Sequence, residues 1–255
     1  MVIRYLLQSW VEAAVRRRLQ QALAEAARRA AEQTSCTSAP EEAQPHPAQH
    51  HQAADEGEPA IDRAHVGVVF ALGLEAGGLE DLLSGTVTIR GHNFALVEGG
   101  LKGRRVLVAR SGPGKANAAR VTEALIAGHR PLWVISAGFA GGLDPKLKRG
   151  DLLIVDRVVD AAGVEIEVDV GVDRAALGPE SRLHAGRLLT VERVVRLPEQ
   201  KRELAQRFQA LAVDMESFAV AEVCRRHNVH FLGVSDINEK VVDALSRDIV
   251  RVVDQ

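Results

Sequence analysis

Residues 211–224 read LAVDMESFAVAEVC, and they put the carboxylate of Glu216 where an apolar side chain belongs. Residues 211–213 suit a short buried strand. From Glu216 the pattern turns helical, with Ala219, Val220, Val223 and Cys224 at three-and-four spacing and Glu222, Arg225 and Arg226 on the other face. Continued backwards, the apolar stripe lands on Glu216, an acid on the inner side of a first turn beside a strand's carboxyl end. A second acid is in the same position. Residues 66–71 form an apolar run suited to a central strand, residues 74–83 turn helical, and Glu75 shares a stripe with Leu79 and Leu82. A buried charge is costly without donors, so each acid must meet some. Two readings stand for Glu216: it caps its own helix, as acids do in first turns, or it accepts hydrogen bonds from a ligand.

Two glycine-rich strand ends supply the rest of a crevice. Ser111-Gly112-Pro113-Gly114 follows the strand expected over residues 105–109 and opens a helix that Gly128 ends. The dinucleotide fingerprint would need a small residue at Asn117 and a later acid, and the ATP loop a Lys followed by Ser or Thr; neither is present. Residues 132–136 are the next buried strand, ending in Ala137-Gly138-Phe139-Ala140-Gly141-Gly142. A tight turn is one reading of that run. Two such ends in succession favour a binding crevice, where small residues let a ligand approach the backbone.

The elements that must position these residues follow from the remaining chain. Its 255 residues carry a net charge of −2 with mixed signs, which leaves no nucleic-acid footprint. Apolar content of 46% with 4% aromatic residues describes a Val, Leu, Ile and Ala core, as in sheets covered by helices. Cys36 and Cys224 stand far apart without metal-ligand spacing, so a disulfide framework or zinc site is not expected and a reducing, cytoplasmic setting is. No run has the length of a membrane span, and the N-terminal residues do not read as a signal peptide.

Residues 1–33 form an amphipathic helix, expected to dock on its own domain or pair with another copy rather than lie on a membrane. Residues 34–63, rich in Ser, Pro, Gln, Glu and His, read as a disordered linker. Residues 64–255 form the domain. Its further strands are expected at 86–89 and 94–97, with Gly99, Gly100 and Gly103 marking a hairpin, and at 152–155, 158–159, 166–170, 187–190 and 231–234. Pro198 starts one helix and residues 241–253 close as another. Strands alternating with helices give an α/β fold, a three-layer αβα sandwich around a mixed central β-sheet.

In this order and spacing, VGVVFALGLEAGGL, SGPGKANAA, VISAGFAGGLDPKLKRGDLLIVD, VDMESFAVAEVC and SD resemble the nucleoside phosphorylase superfamily, and most of all its 5′-methylthioadenosine/S-adenosylhomocysteine nucleosidase branch. The likeness spans residues 66–236. It implies cleavage of a purine nucleoside's N-glycosidic bond through a ribosyl cation-like transition state. Glu75 would deprotonate the attacking water, Glu216 would accept hydrogen bonds from the ribose hydroxyls with Met215 packed on the sugar, and Asp236 would share a proton with the departing base. Substrate contacts are further implied at Ser111, Gly138, Phe139, Val194, Val195 and Val213. No metal or organic cofactor is implied, and the partners are a small-molecule nucleoside and further copies in a homo-oligomer.

Phosphorolytic members carry arginines where this chain offers Glu75 and Ser136, so hydrolysis is expected, with Arg110 the one residue placed to meet an anion. A phosphorylase and a nucleoside-binding pseudoenzyme are the alternatives. The pseudoenzyme follows from a departure: the last strand runs into Ser235-Asp236 about three residues earlier than in the family, roughly 10 Å of strand. The segment Thr190-Val191-Glu192-Arg193-Val194-Val195 also departs from the aromatic or amide-rich loop of relatives.

Overall fold

The computed structural model describes residues 64–91, 94–169 and 182–239. The amphipathic helix, the linker and the closing helix expected over 241–253 lie outside them, as does Cys36. Among the described residues no helix is long and apolar enough to cross a membrane.

The elements in order are β1 (Val66–Phe70), α1 (Gly73–Glu80), β2 (Ser84–Arg90), β3 (Ala95–Leu101), β4 (Arg104–Arg110), α2 (Lys115–His129), β5 (Trp133–Gly142), β6 (Leu152–Asp160), β7 (Glu165–Glu167), β8 (Leu183–Thr190), α3 (Pro198–Phe208), β9 (Ala212–Asp214), α4 (Ser217–Arg226) and β10 (His230–Glu239). They give a mixed α/β fold on one large mixed sheet. β1 pairs parallel with β4 and β5, and β4, β3 and β2 continue outward as antiparallel neighbours. On the other side β5 pairs with β10, β10 with β6, β6 with β8, β8 with β9, and β9 back with the end of β5. Those five strands therefore close a circuit of hydrogen bonds, which an open sheet does not.

Three expectations change. Gly99 and Gly100 lie inside β3; the hairpin turn is Lys102-Gly103, both at positive φ (49° and 74°), the pair that a two-residue turn of this hand needs. Residues 137–142 are no turn but the second half of the ten-residue β5. The last strand also runs to ten residues, so Ser235-Asp236 stands in its middle.

Where β5 outruns β1 explains the position of the crevice. Register pairs Val66 to Val69 with Trp133 to Ser136, after which β1 ends at Phe70 while β5 goes on to Gly142. The ledge so formed lies past the carboxyl end of β1, where open α/β sheets bind ligands. Packing holds it from below. Ala118, Val121 and Leu125 of α2 and Ala219, Val220 and Val223 of α4 share one apolar cluster with β1, β4 and β5. Gly67 lets Leu125 sit on β1, since a Cβ there would meet its Cδ2 at 2.6 Å. Along β8 and β6, Leu188 and Val158 pack in the cluster of α4's Phe218, whereas Leu189 and Val159 pack with Phe208 of α3.

Candidate active site

Above the ledge lies a hollow of about 120 Å³ lined by residues from six separate stretches. Ala71, Leu72 and Glu75 come from the end of β1 and the start of α1, Pro113 from the loop after β4, and Phe139, Ala140 and Gly141 from β5. Val191, Val194 and Val195 follow β8, Val213 to Glu216 connect β9 with α4, and Asn238 comes from β10.

Glu75 is in the first turn of α1, and its carboxylate accepts from two backbone donors: Leu72 N–H to Oε2 at 2.7 Å and Phe139 N–H to Oε1 at 2.9 Å. Gly138 makes the second possible, because a Cβ there would stand 2.9 Å from Oε1. Burial pushes the Glu75 carboxyl above the usual carboxylate range against those two hydrogen bonds.

Glu216 occupies the N-cap position of α4 yet makes no side-chain cap bond. The capping reading is thus excluded. Its Oε1 accepts the Gly114 N–H at 2.6 Å from 102 residues earlier in the chain, and its Oε2 accepts the Met215 N–H at 3.2 Å. The loop whose glycines resemble a phosphate cradle therefore turns a backbone donor to a protein carboxylate. Burial and the nearby Asp214 raise the Glu216 carboxyl to about 8 from an ordinary 4.5.

Asp214 is the residue that the sequence reading missed. It ends β9, faces the same hollow, and accepts the Thr190 hydroxyl at 2.6 Å and the Ser217 N–H at 2.9 Å. Its carboxyl too is pushed up, by burial. A polar residue closing a strand just before a helix looks like a helix start, and Asp214 does hold the first N–H of α4; that dual use hid its second role. Asn238, Pro113 and Leu72 also line the hollow without having been singled out.

Of the expected residues, Glu75, Glu216, Met215, Phe139, Val194, Val195 and Val213 share this hollow, and Gly138 lines a smaller chamber behind it. Ser111 lines neither; its buried hydroxyl donates to the Gly112 carbonyl at 2.7 Å, with the Phe70 carbonyl 3.2 Å away. Asp236 lines neither as well. It sits mid-strand, with Phe139 and Leu152 as register partners, and feels the charges of Arg182 and Asp151. Adjacent strand residues point to opposite faces, so the chamber-lining Ser235 leaves Asp236 turned away. Three residues further on, at the reach expected of a full-length last strand, stand Asn238 and Glu239, the latter in register with Gly141. Asp236→Asn is therefore expected to leave kcat within about twofold of the unmodified enzyme, as for a substitution outside the reacting groups, in a steady-state assay of base release.

A site with three enclosed carboxylates against an apolar wall, set on a mixed sheet's carboxyl ledge, defines a small-molecule site built to accept hydrogen bonds and hold positive charge. The sequence profile of the phosphorylase superfamily matches residues 65–248, and the chain belongs to that superfamily. It is similar to the 5′-methylthioadenosine/S-adenosylhomocysteine nucleosidases of Tolumonas auensis, 29% identical over 198 residues with 68% of this chain and 85% of the relative covered, and of Staphylococcus aureus, 28% identical over 195 residues with 68% and 86% covered. The solved nucleosidase of Neisseria meningitidis in complex with methylthio-immucillin-A superposes with a TM-score of 0.65 at 25% identity, over 74% of this chain and 90% of that one.

Proposed function

We propose that the protein is an N-glycosyl hydrolase that cleaves a purine nucleoside of the 5′-methylthioadenosine or S-adenosylhomocysteine type and releases the base. The observation that carries this reading is the composition of the hollow's lining. Its described lining holds Glu75, Asp214 and Glu216 and no Lys, Arg or His. Such a lining stabilises a sugar that gains positive charge as the C1′–N bond breaks. A phosphate dianion would instead need fixed guanidinium or ammonium donors. Arg110 is engaged with Glu80 at 3.0 Å and Lys115 with Glu192 at 2.5 Å. The nucleosidases named above agree with the reading.

Within it, Glu75 takes the proton of the attacking water, its raised carboxyl making it a stronger base at neutral pH. Glu216 accepts hydrogen bonds from the sugar hydroxyls, and Met215 packs on the sugar. Phe139, Val191, Val194, Val195 and Val213 supply the apolar wall for the base and the 5′ substituent. The departing base meets Asn238 of β10.

The turning away of Asp236 also favours a second reading, a nucleoside-binding protein without turnover. One assay separates the three. A nucleoside panel is incubated with the protein, with and without phosphate, and separated by liquid chromatography. Free base with free sugar, unchanged by phosphate, is the expected result; sugar 1-phosphate means a phosphorylase, and bound but intact nucleoside a binding protein.

The same reading extends to the whole chain. Residues 64–255 act as one domain with helices on both faces of the sheet, a three-layer arrangement supported by the separate clusters of α4 and α3 on alternate residues of β6 and β8. The protein works as a cytoplasmic homo-oligomer, with Cys224 a buried free thiol whose pKa burial raises to about 12.

A further inference from the structure

Behind Glu75 the hollow continues into a second chamber of about 20 Å³. Its polar wall consists of Ser136, Ser217 and Ser235 together with Glu75, Asp214 and Glu216. A cavity needs about 10–15 Å³ to hold one water, and that water needs two to four polar partners. The chamber has space for one and partners in excess, and a phosphate, several times larger, does not fit.

The serines come from three different elements. Ser136 is on β5 where β1 ends, Ser217 is the first residue of α4, and Ser235 is on β10 beside Gly138. All three are buried, and the hydroxyls of Ser136 and Ser217 stand 3.0 Å apart. Hydroxyls both donate and accept, whereas an ionised carboxylate only accepts, so this wall can orient a water in a way that the acids alone cannot.

We propose that this chamber is a fixed water site supplying the nucleophile, and that Ser136, Ser217 and Ser235 are positioning residues for it. The inference rests on the hydrolase reading above. The water passes one proton to Glu75 as its oxygen bonds to C1′; the C1′–N electron pair leaves with the base, which takes up a proton from solvent. Holding a water in attack geometry removes much of the entropic cost of a bimolecular step.

Ser235 gives the test, since it lines the chamber and not the larger hollow. Ser235→Val fills the space, and Ser235→Ala removes the hydroxyl but leaves room. The measurements are kcat, KM, thermal midpoint and the Kd of a C-nucleoside, which binds but cannot be cleaved. Ser235→Val is expected to lower kcat by about 30-fold or more, with KM and the C-nucleoside Kd within about threefold, and Ser235→Ala to lower kcat by only about three- to tenfold. Ser136→Val, tested alongside, fills the chamber from the neighbouring strand β5 and should repeat the effect if Ser235→Val is poorly folded. Unchanged kcat in well-folded valine variants overturns the proposal, as does a parallel loss of kcat and C-nucleoside affinity, which marks a distorted pocket. A wild-type protein that needs phosphate or cleaves nothing overturns the hydrolase reading first, before any variant is made, and the water site with it.

Discussion

Glu75→Gln lowers kcat by about 10³-fold while a non-cleavable nucleoside analogue binds within a fewfold of its original affinity; this is the largest effect expected from a single substitution here. Glutamine keeps the size of the side chain and an oxygen that can accept one of the hydrogen bonds from Leu72 and Phe139. What it loses is the ability to take a proton. Because ground-state binding survives, the loss falls on kcat rather than KM. Steady-state kinetics beside calorimetric binding of the analogue provides the check, and a Glu75→Gln enzyme with near-normal kcat would remove Glu75 from the mechanism. The pH profile adds an independent measure. Burial raises the Glu75 carboxyl, so the acid limb of kcat/KM lies above the ordinary carboxylate range, and that limb disappears in Glu75→Gln.

Glu216→Gln has the second largest effect, and its sign differs between activity and stability. For activity, on the proposed role, glutamine offers the sugar hydroxyls one acceptor oxygen where Glu216 has two, and it cannot ionise beside the developing cation. The expected fall in kcat/KM is about 100-fold, shared between KM and kcat. For stability, the ligand-free fold holds this carboxyl at about 8 against an ordinary 4.5. Below about 4.5 the folded and unfolded chains both keep the proton. Between about 4.5 and about 8 the folded chain holds a proton that the unfolded chain has released, so raising the pH favours unfolding across that window. Glutamine carries no such proton. The variant's thermal midpoint should therefore exceed that of the original protein by a margin that grows from pH 5 to pH 8, as read by calorimetry without ligand. A margin constant with pH would show that Glu216 is not held protonated. A gain in stability paired with a loss of activity is the usual signature of a site whose charges are kept for function.

How much of this was legible in the sequence depended on whether a residue's neighbours were local. The apolar stripes through Glu75 and Glu216 identified both as inward acids, because a helix's faces are set by three-and-four spacing within one element. The runs that became β1, β5 and β9 were visible for the same reason. The second halves of β5 and β10 were not, since glycine and polar residues in Ala137-Gly138-Phe139-Ala140-Gly141-Gly142 and in Ser235-Asp236-Ile237-Asn238 lack strand propensity and are held extended by pairing with each other. That one misreading moved the end of the last strand and, with it, attention to Asp236.

Alone, then, the sequence determined the α/β class, the two glutamates, the absence of a phosphate-loop motif and the family likeness, all of which are written in short-range patterns and the order of segments. Only the tertiary structure decided that a third carboxylate joins the pair, that Gly114 spends its N–H on Glu216, and that Ser111 and Asp236 stand outside the hollow. The reason is physical. Each of those outcomes depends on which side of a strand a residue faces and what backbone lies across from it, and both are fixed by long-range register that a shift of a single residue would reverse.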